Sequence, residues 1–126
     1  MEELPSLTPL TDKLGVSFTD ESVLRTALTH RSYLNENPAF ELDHNERLEF
    51  LGDAVLELVV TDFLYQNYPL PEGELTNLRS AVVRGEMLSK IALEMNLEPY
   101  LLLSRGESKD TGKARQYILA NAVEAV

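Results

Sequence analysis

The sequence predicts an all-α chain. Apolar residues recur at helical spacing through most of its length, caps and prolines divide it into helix-sized pieces, and strand-like alternation is absent. No internal repeat is visible, and 126 residues are enough for one domain with a real core but not for two.

The elements follow in order. Thr19 reads as an N-cap, with Asp20 and Glu21 in the first turn and Val23, Leu24, Ala27 and Leu28 as the apolar stripe of a helix ending near His30. Residues 31–44, RSYLNENPAFELDH, read as a connecting loop. Asp43, followed three residues later by Glu46, resembles a capping box opening a long helix that runs to about Gln66. NYPLPEG then interrupts the pattern with two prolines and a glycine, and helices follow over 74–83 and 85–95. Residues 104–113, SRGESKDTGK, are small, charged and aperiodic, the pattern of a mobile surface loop. A last helix begins near Ala114. Its end, ILANAVEAV, carries no stop signal and reads as a chain cut inside a helix, so that 1–126 would be a fragment of something longer.

Composition narrows the function classes. Hydrophobic content of 44% with 25% charged residues is ordinary for a globular protein. The absence of cysteine excludes disulfides, thiolate metal sites and cysteine nucleophiles, and two histidines, His30 and His44, are too few for an imidazole-rich zinc site. Both read as local hydrogen-bonding residues outside any active site. No run approaches a membrane span and MEELPSLTPL lacks a secretory pattern, so a cytoplasmic location is the expectation, with no membrane partner. The net charge of −10, from 21 acidic and 11 basic residues, argues against nucleic-acid binding by basic surface alone. Arg79, Arg84, Arg105, Lys109, Lys113 and Arg115 read mostly as solvated charges, some of them available to a phosphate backbone.

The chemistry gathers on the long helix. Glu46, Glu49, Asp53 and Glu57 are separated by three, four and four residues. At about 100° per residue they fall within an arc of roughly 80°. Leu48, Leu51, Val55, Leu56, Leu58 and Val59 cover most of the remaining circumference, and a helix apolar nearly all round is expected in a core. Carboxylates lined up there are costly to desolvate and repel one another unless they share protons or a cation. A hard metal ion is the simplest compensation. Glu46 reads as shared between the capping box and a supporting role in the site, and Glu57 as a solvated or salt-bridged residue at the far end. Glu49 and Asp53 lie one turn apart in mid-helix, and Gly52 between them leaves room for a neighbouring backbone or ligand. The last helix offers a second polar pair, Asn121 and Glu124, at i and i+3. Alone it would be an ordinary polar face; packed opposite Glu49 and Asp53 it would complete an oxygen-only cage for Mg²⁺ or Mn²⁺. No Glu-x-x-His element is present, which counts against a di-iron carboxylate bundle.

HNERLEFLGDAVL at 44–56 closely resembles the signature of the ribonuclease III endonuclease domain. The resemblance continues through ALTHRSY at 27–33, PEGELTNLRSAVV at 71–83, SRGE at 104–107 and ILANAVEAV at 118–126, in order and over nearly the whole chain. It implies an all-α, homodimeric endonuclease domain over residues 1–126 that cleaves double-stranded RNA with Mg²⁺, Mn²⁺ being a possible substitute, without a nucleotide cofactor. Products would carry 5′-phosphates, 3′-hydroxyls and short 3′ overhangs, in rRNA and mRNA processing. On matching positions, Glu49, Asp53 and Glu124 correspond to metal-binding and catalytic acids, with Asp53 and Glu124 in the catalytic role and Asn121 at the remaining ligand position. Phe50 matches an aromatic residue that plugs into the partner subunit, and Glu72, less clearly Glu74, matches an acidic segment bordering the cleavage valley. Two features depart from the pattern. The family usually has Asp where this chain has Asn121, and bacterial members usually carry a C-terminal double-stranded-RNA-binding domain that this sequence does not contain. The alternatives are a catalytically impaired module that dimerises and docks on structured RNA, and a metal-binding helical protein unrelated to RNA; the latter leaves the ordered flanking motifs unexplained.

Overall fold

Leucines bring the two ends of the chain together. The computed structural model describes residues 4–109 and 113–126. Leu7 and Leu10 pack with Leu24 and Leu28, with Ala92 and Leu97, and with Leu119 and Ala122, so one core joins elements from the start, middle and end of the sequence. Full burial of a leucine contributes about 2 kcal/mol, and Leu10, Leu24, Leu28, Leu88 and Leu97 are all buried this completely.

The described elements are α1 (Thr8–Leu14), α2 (Glu21–Ala27), α3 (Arg31–Glu36), α4 (Glu46–Asn67), α5 (Glu72–Val83) and α6 (Gly85–Glu94). A 3₁₀ turn at Glu98–Tyr100, α7 (Arg105–Lys109) and α8 (Lys113–Ala125) complete them. α8 packs between α6 and α4, while α5 bridges α4 and α6. Among the described residues there is no strand beyond one isolated parallel bridge, Thr29 to Leu102. None of the described helices is long and apolar enough to cross a membrane.

Several boundaries move from their sequence expectation, each for a visible reason. Asp20, not Thr19, caps α2: its Oδ1 accepts from the Ser22 N–H at 3.0 Å and the Ser22 hydroxyl at 2.6 Å. α2 stops at Ala27 because the next residues pair elsewhere. The Leu102 N–H donates to the Leu28 carbonyl and the His30 N–H to the Leu102 carbonyl, both at 2.9 Å. The expected loop over 31–44 contains α3, whose first turn is capped by His30 Nδ1 accepting from the Ser32 N–H at 3.1 Å. The 104–113 segment, expected as a loop, forms α7 over Arg105–Lys109; residues 110–112 lie outside the described part. α1 has no counterpart in the sequence reading; Pro9 sits in its first turn and Gly15 closes it at φ +71°, the left-handed region.

The capping box at α4 is not formed. Asn45 is the cap and its side chain makes no capping bond. Its amide is used across the fold instead, donating to the Ala27 carbonyl at 3.0 Å, while its N–H donates to the Thr29 carbonyl at 2.9 Å. Asp43 turns back on the His44 N–H at 2.8 Å. α4 also departs from the expectation of a helix buried in the core. Of its side chains only Leu64 is buried, and Leu51, Val55, Leu58 and Val59 stand open beside Phe50, which is 83% exposed.

Candidate functional site

Two helices build one polar depression. α4 supplies Glu46, Glu49, Phe50 and Asp53, and α8 supplies Asn121 and Glu124, around a volume of about 510 Å³. Their meeting is a backbone matter. A Cβ on Gly52 would overlap the Glu124 carbonyl, so the glycine lets the last turn of α8 lie directly on α4. The neighbour for which the sequence reading left room is the Glu124 backbone itself. Glu49, Asn121 and Glu124 are half-buried, while Glu46 and Asp53 are exposed.

The electrostatics follow from this crowding. Burial pushes the Glu124 carboxyl up, a hydrogen bond with Asp53 and the charges of Asp53 and Glu49 push it further, and its pKa reaches about 7. A bond that raises the acid's pKa favours its protonated form, so Glu124 donates its proton to Asp53. Glu49 is raised by burial first and then by Glu46 and Asp53. Among the described residues no three His, Asp or Glu side chains stand ready as a cation cage. The donor set is nonetheless one a hard cation would take: every polar side chain lining the depression offers oxygen, and its acids are crowded enough to retain a proton. Glu49, Asp53, Asn121 and Glu124 all line this depression.

Other sequence candidates fall elsewhere. Glu57 does not line the depression; its Oε1 lies 3.9 Å from Arg79 Nε, and Arg79 also donates to the Thr61 hydroxyl at 3.0 Å. Glu72 opens α5 and lines a separate hollow with Thr61, Tyr65, Leu75 and Arg79, so this chain alone does not bring it to the α4–α8 acids. The histidines serve locally. His30 caps α3, and burial lowers its pKa. His44 Nδ1 accepts from the Glu46 N–H at 3.3 Å. Of the basic residues, Arg84 pairs with Glu86 at 3.7 Å and Arg115 with Glu98 at 3.5 Å. The sequence reading missed Arg31, which donates to Glu46 at 2.9 Å. No periodic relation marks it, because the contact depends on how the Thr29–Leu102 bridge turns the chain.

Comparisons with known proteins agree with one another. A family model described as ribonuclease-III-like matches residues 20–126. The ribonuclease 3 of Streptococcus gordonii is 45% identical over 126 residues, covering 99% of this chain and 53% of the relative. That of Carboxydothermus hydrogenoformans is 51% identical over 114 residues, covering 90% of this chain and 48% of the relative. The chain thus spans about half the length of the curated relatives it matches. Among solved structures, the nuclease domain of ribonuclease III from Campylobacter jejuni, described for flexibility in a region involved in dimer formation, is similar with a TM-score of 0.84 at 40% identity. That likeness covers 95% of this chain and 80% of the other.

Proposed function

The chain belongs to the ribonuclease III family, and from that premise we propose that it is a divalent-cation-dependent endonuclease domain acting on double-stranded RNA. The observation that carries the reading is the meeting of Glu49 and Asp53 with Asn121 and Glu124 in one oxygen-lined depression. Mg²⁺, with Mn²⁺ as substitute, would be held by these four side chains. When bound, the cation would supply an acidified water for attack on phosphorus and charge neutralisation at the phosphate.

The chain's own residues set the conditions. Glu49 and Asp53 project from adjacent turns of a continuous helix, so their separation is fixed by its pitch. Glu124 must give up the proton it shares with Asp53 before it can ligate, which ties cation binding to pH. With phosphate attracted through the cation, a chain of net charge −10 can engage a polyanion, and an RNA duplex is recognised mainly through shape, phosphates and 2′-hydroxyls.

The same proposal includes a homodimer. Phe50, Leu51, Leu58, Val59 and Phe63 are each more than half exposed on α4, and covering each would contribute roughly 2 kcal/mol. Phe50 also borders the acidic depression, so interface and site would adjoin. Two such sites would cut opposite strands, leaving 5′-phosphates, 3′-hydroxyls and short 3′ overhangs, in rRNA and mRNA processing within the cytoplasm.

Cleavage of a perfect RNA duplex in Mg²⁺ and in Mn²⁺ tests the activity. We expect wild type to cut and Asp53→Ala and Glu124→Ala to lose at least about 100-fold, the scale of losing a charge-stabilising group at a reacting centre. No cleavage by wild type in either cation at high enzyme concentration would sink the catalytic reading. Asn121 favours a second reading, an impaired module that dimerises and docks on structured RNA, because its amide ligates without bringing charge. Asn121→Asp separates the two: a large gain in activity identifies an impaired site, and an unchanged rate leaves the enzyme reading in place.

A further inference from the structure

Arg31 opens α3, yet its guanidinium reaches the start of α4, where Nη2 donates to Glu46 Oε2 at 2.9 Å. His44 approaches the same oxygen with Nε2 at 3.6 Å. Its Nδ1 already accepts the Glu46 N–H at 3.3 Å, which in the neutral ring leaves the proton on Nε2, the side facing Glu46. One carboxylate oxygen of Glu46 is therefore held by Arg31, with the His44 ring nearby but beyond hydrogen-bond distance. Among the described residues no hydrogen bond engages the other, Oε1. Glu46 itself lines the depression that contains Glu49, Asp53, Asn121 and Glu124.

Magnitudes say where the effect of this contact lies. The side chains of Arg31 and Glu46 are 62% and 47% exposed, and an exposed ion pair contributes only about 0–1 kcal/mol to stability. The fold does not depend on it. Without it, however, Glu46 is a carboxylate at the head of a helix, repelled by Glu49 one turn away and free among its rotamers. We propose that Arg31 is a positioning residue for Glu46. By fixing Oε2 at the rim it sets the direction in which Oε1 is presented to the depression, toward a water around the cation. A guanidinium suits this because its donors lie in a rigid plane, whereas an ammonium carries the same charge without a fixed direction. The inference rests on the reading of the depression as a cation site.

The test uses the full chain as wild type, Arg31→Gln, Arg31→Lys, Glu46→Gln and the Arg31→Gln/Glu46→Gln double variant. Free Mn²⁺ is followed by electron paramagnetic resonance and the melting temperature is recorded alongside. Outer partners of metal ligands typically change affinity 10- to 100-fold, and for an exposed pair we expect the low end, about 10-fold weaker Mn²⁺ binding in Arg31→Gln. Arg31→Lys should fall between it and wild type, melting temperatures should stay together, and Arg31→Gln should add nothing in the Glu46→Gln background. Wild-type Mn²⁺ affinity in Arg31→Gln, full additivity with Glu46→Gln, or a loss that tracks a fall in melting temperature would each overturn the positioning role. If wild type itself binds no Mn²⁺, the reading of the depression falls first and takes this role with it.

Discussion

Burial first, then the hydrogen bond with Asp53 and the charges of Asp53 and Glu49, hold the Glu124 carboxyl above its ordinary range, and that crowding sets a pH dependence for the site. With Glu124 raised from the ordinary 4.5 to about 7, the folded chain holds a proton that the unfolded chain releases across this interval. Unfolding then releases protons, so this group's contribution to cation-free stability declines as pH rises from 4.5 to about 7 and is level above that. Melting in EDTA should therefore show wild type losing more stability between pH 5 and pH 8 than Glu124→Gln, which cannot titrate. Equal slopes would contradict the raised Glu124 carboxyl. The same proton must leave when a cation enters, so Mn²⁺ affinity should rise with pH toward neutrality. At this scale the sequence was informative where spacing is local. Glu49, Asp53, Asn121 and Glu124 were visible as i, i+4 and i, i+3 pairs on two helices. Arg31 and the separate hollow around Glu72 were not, because those placements depend on turns between elements.

At the scale of elements, Gly52 decides how α8 meets α4. Alanine there would gain up to about 1 kcal/mol of helix propensity, but its methyl would occupy the space of the Glu124 carbonyl. Overpacking of this kind costs about 3 kcal/mol when backbone must shift, so the clash outweighs the propensity gain. Gly52→Ala should lower stability in urea and weaken cation binding together; a variant as stable as wild type would mean that the helices do not touch in this way. Long helices are legible in the sequence because α4, α6 and α8 span enough turns for a stripe. α1, α3 and α7, with seven, six and five residues, are too short to carry a stripe. Distant groups support two of them: Ser32 Oγ accepts from the Ser104 N–H at 2.9 Å, and the Glu36 carboxylate from the Arg105 N–H at 3.1 Å.

For the whole molecule, the long helix shows the limit of reading burial from hydropathy. Its apolar circumference predicts a core helix, yet the core of this chain forms around α1, α2, α6 and α8 and leaves that face open. Periodicity reports that a surface needs covering and cannot say whether the cover is the same chain or a second copy. Sedimentation distinguishes these. We expect wild type to run as a dimer and Phe50→Ala to shift toward monomer, whereas an unchanged profile would contradict the interface assigned to α4. Anomalous diffraction from crystals soaked in Mn²⁺ tests whether α4 and α8 together form a divalent-cation site. We expect a peak in the depression within ligand distance of Glu49, Asp53, Asn121 and Glu124 oxygens. An empty depression in crystals of a cleavage-competent protein, with Mn²⁺ bound elsewhere, would contradict it.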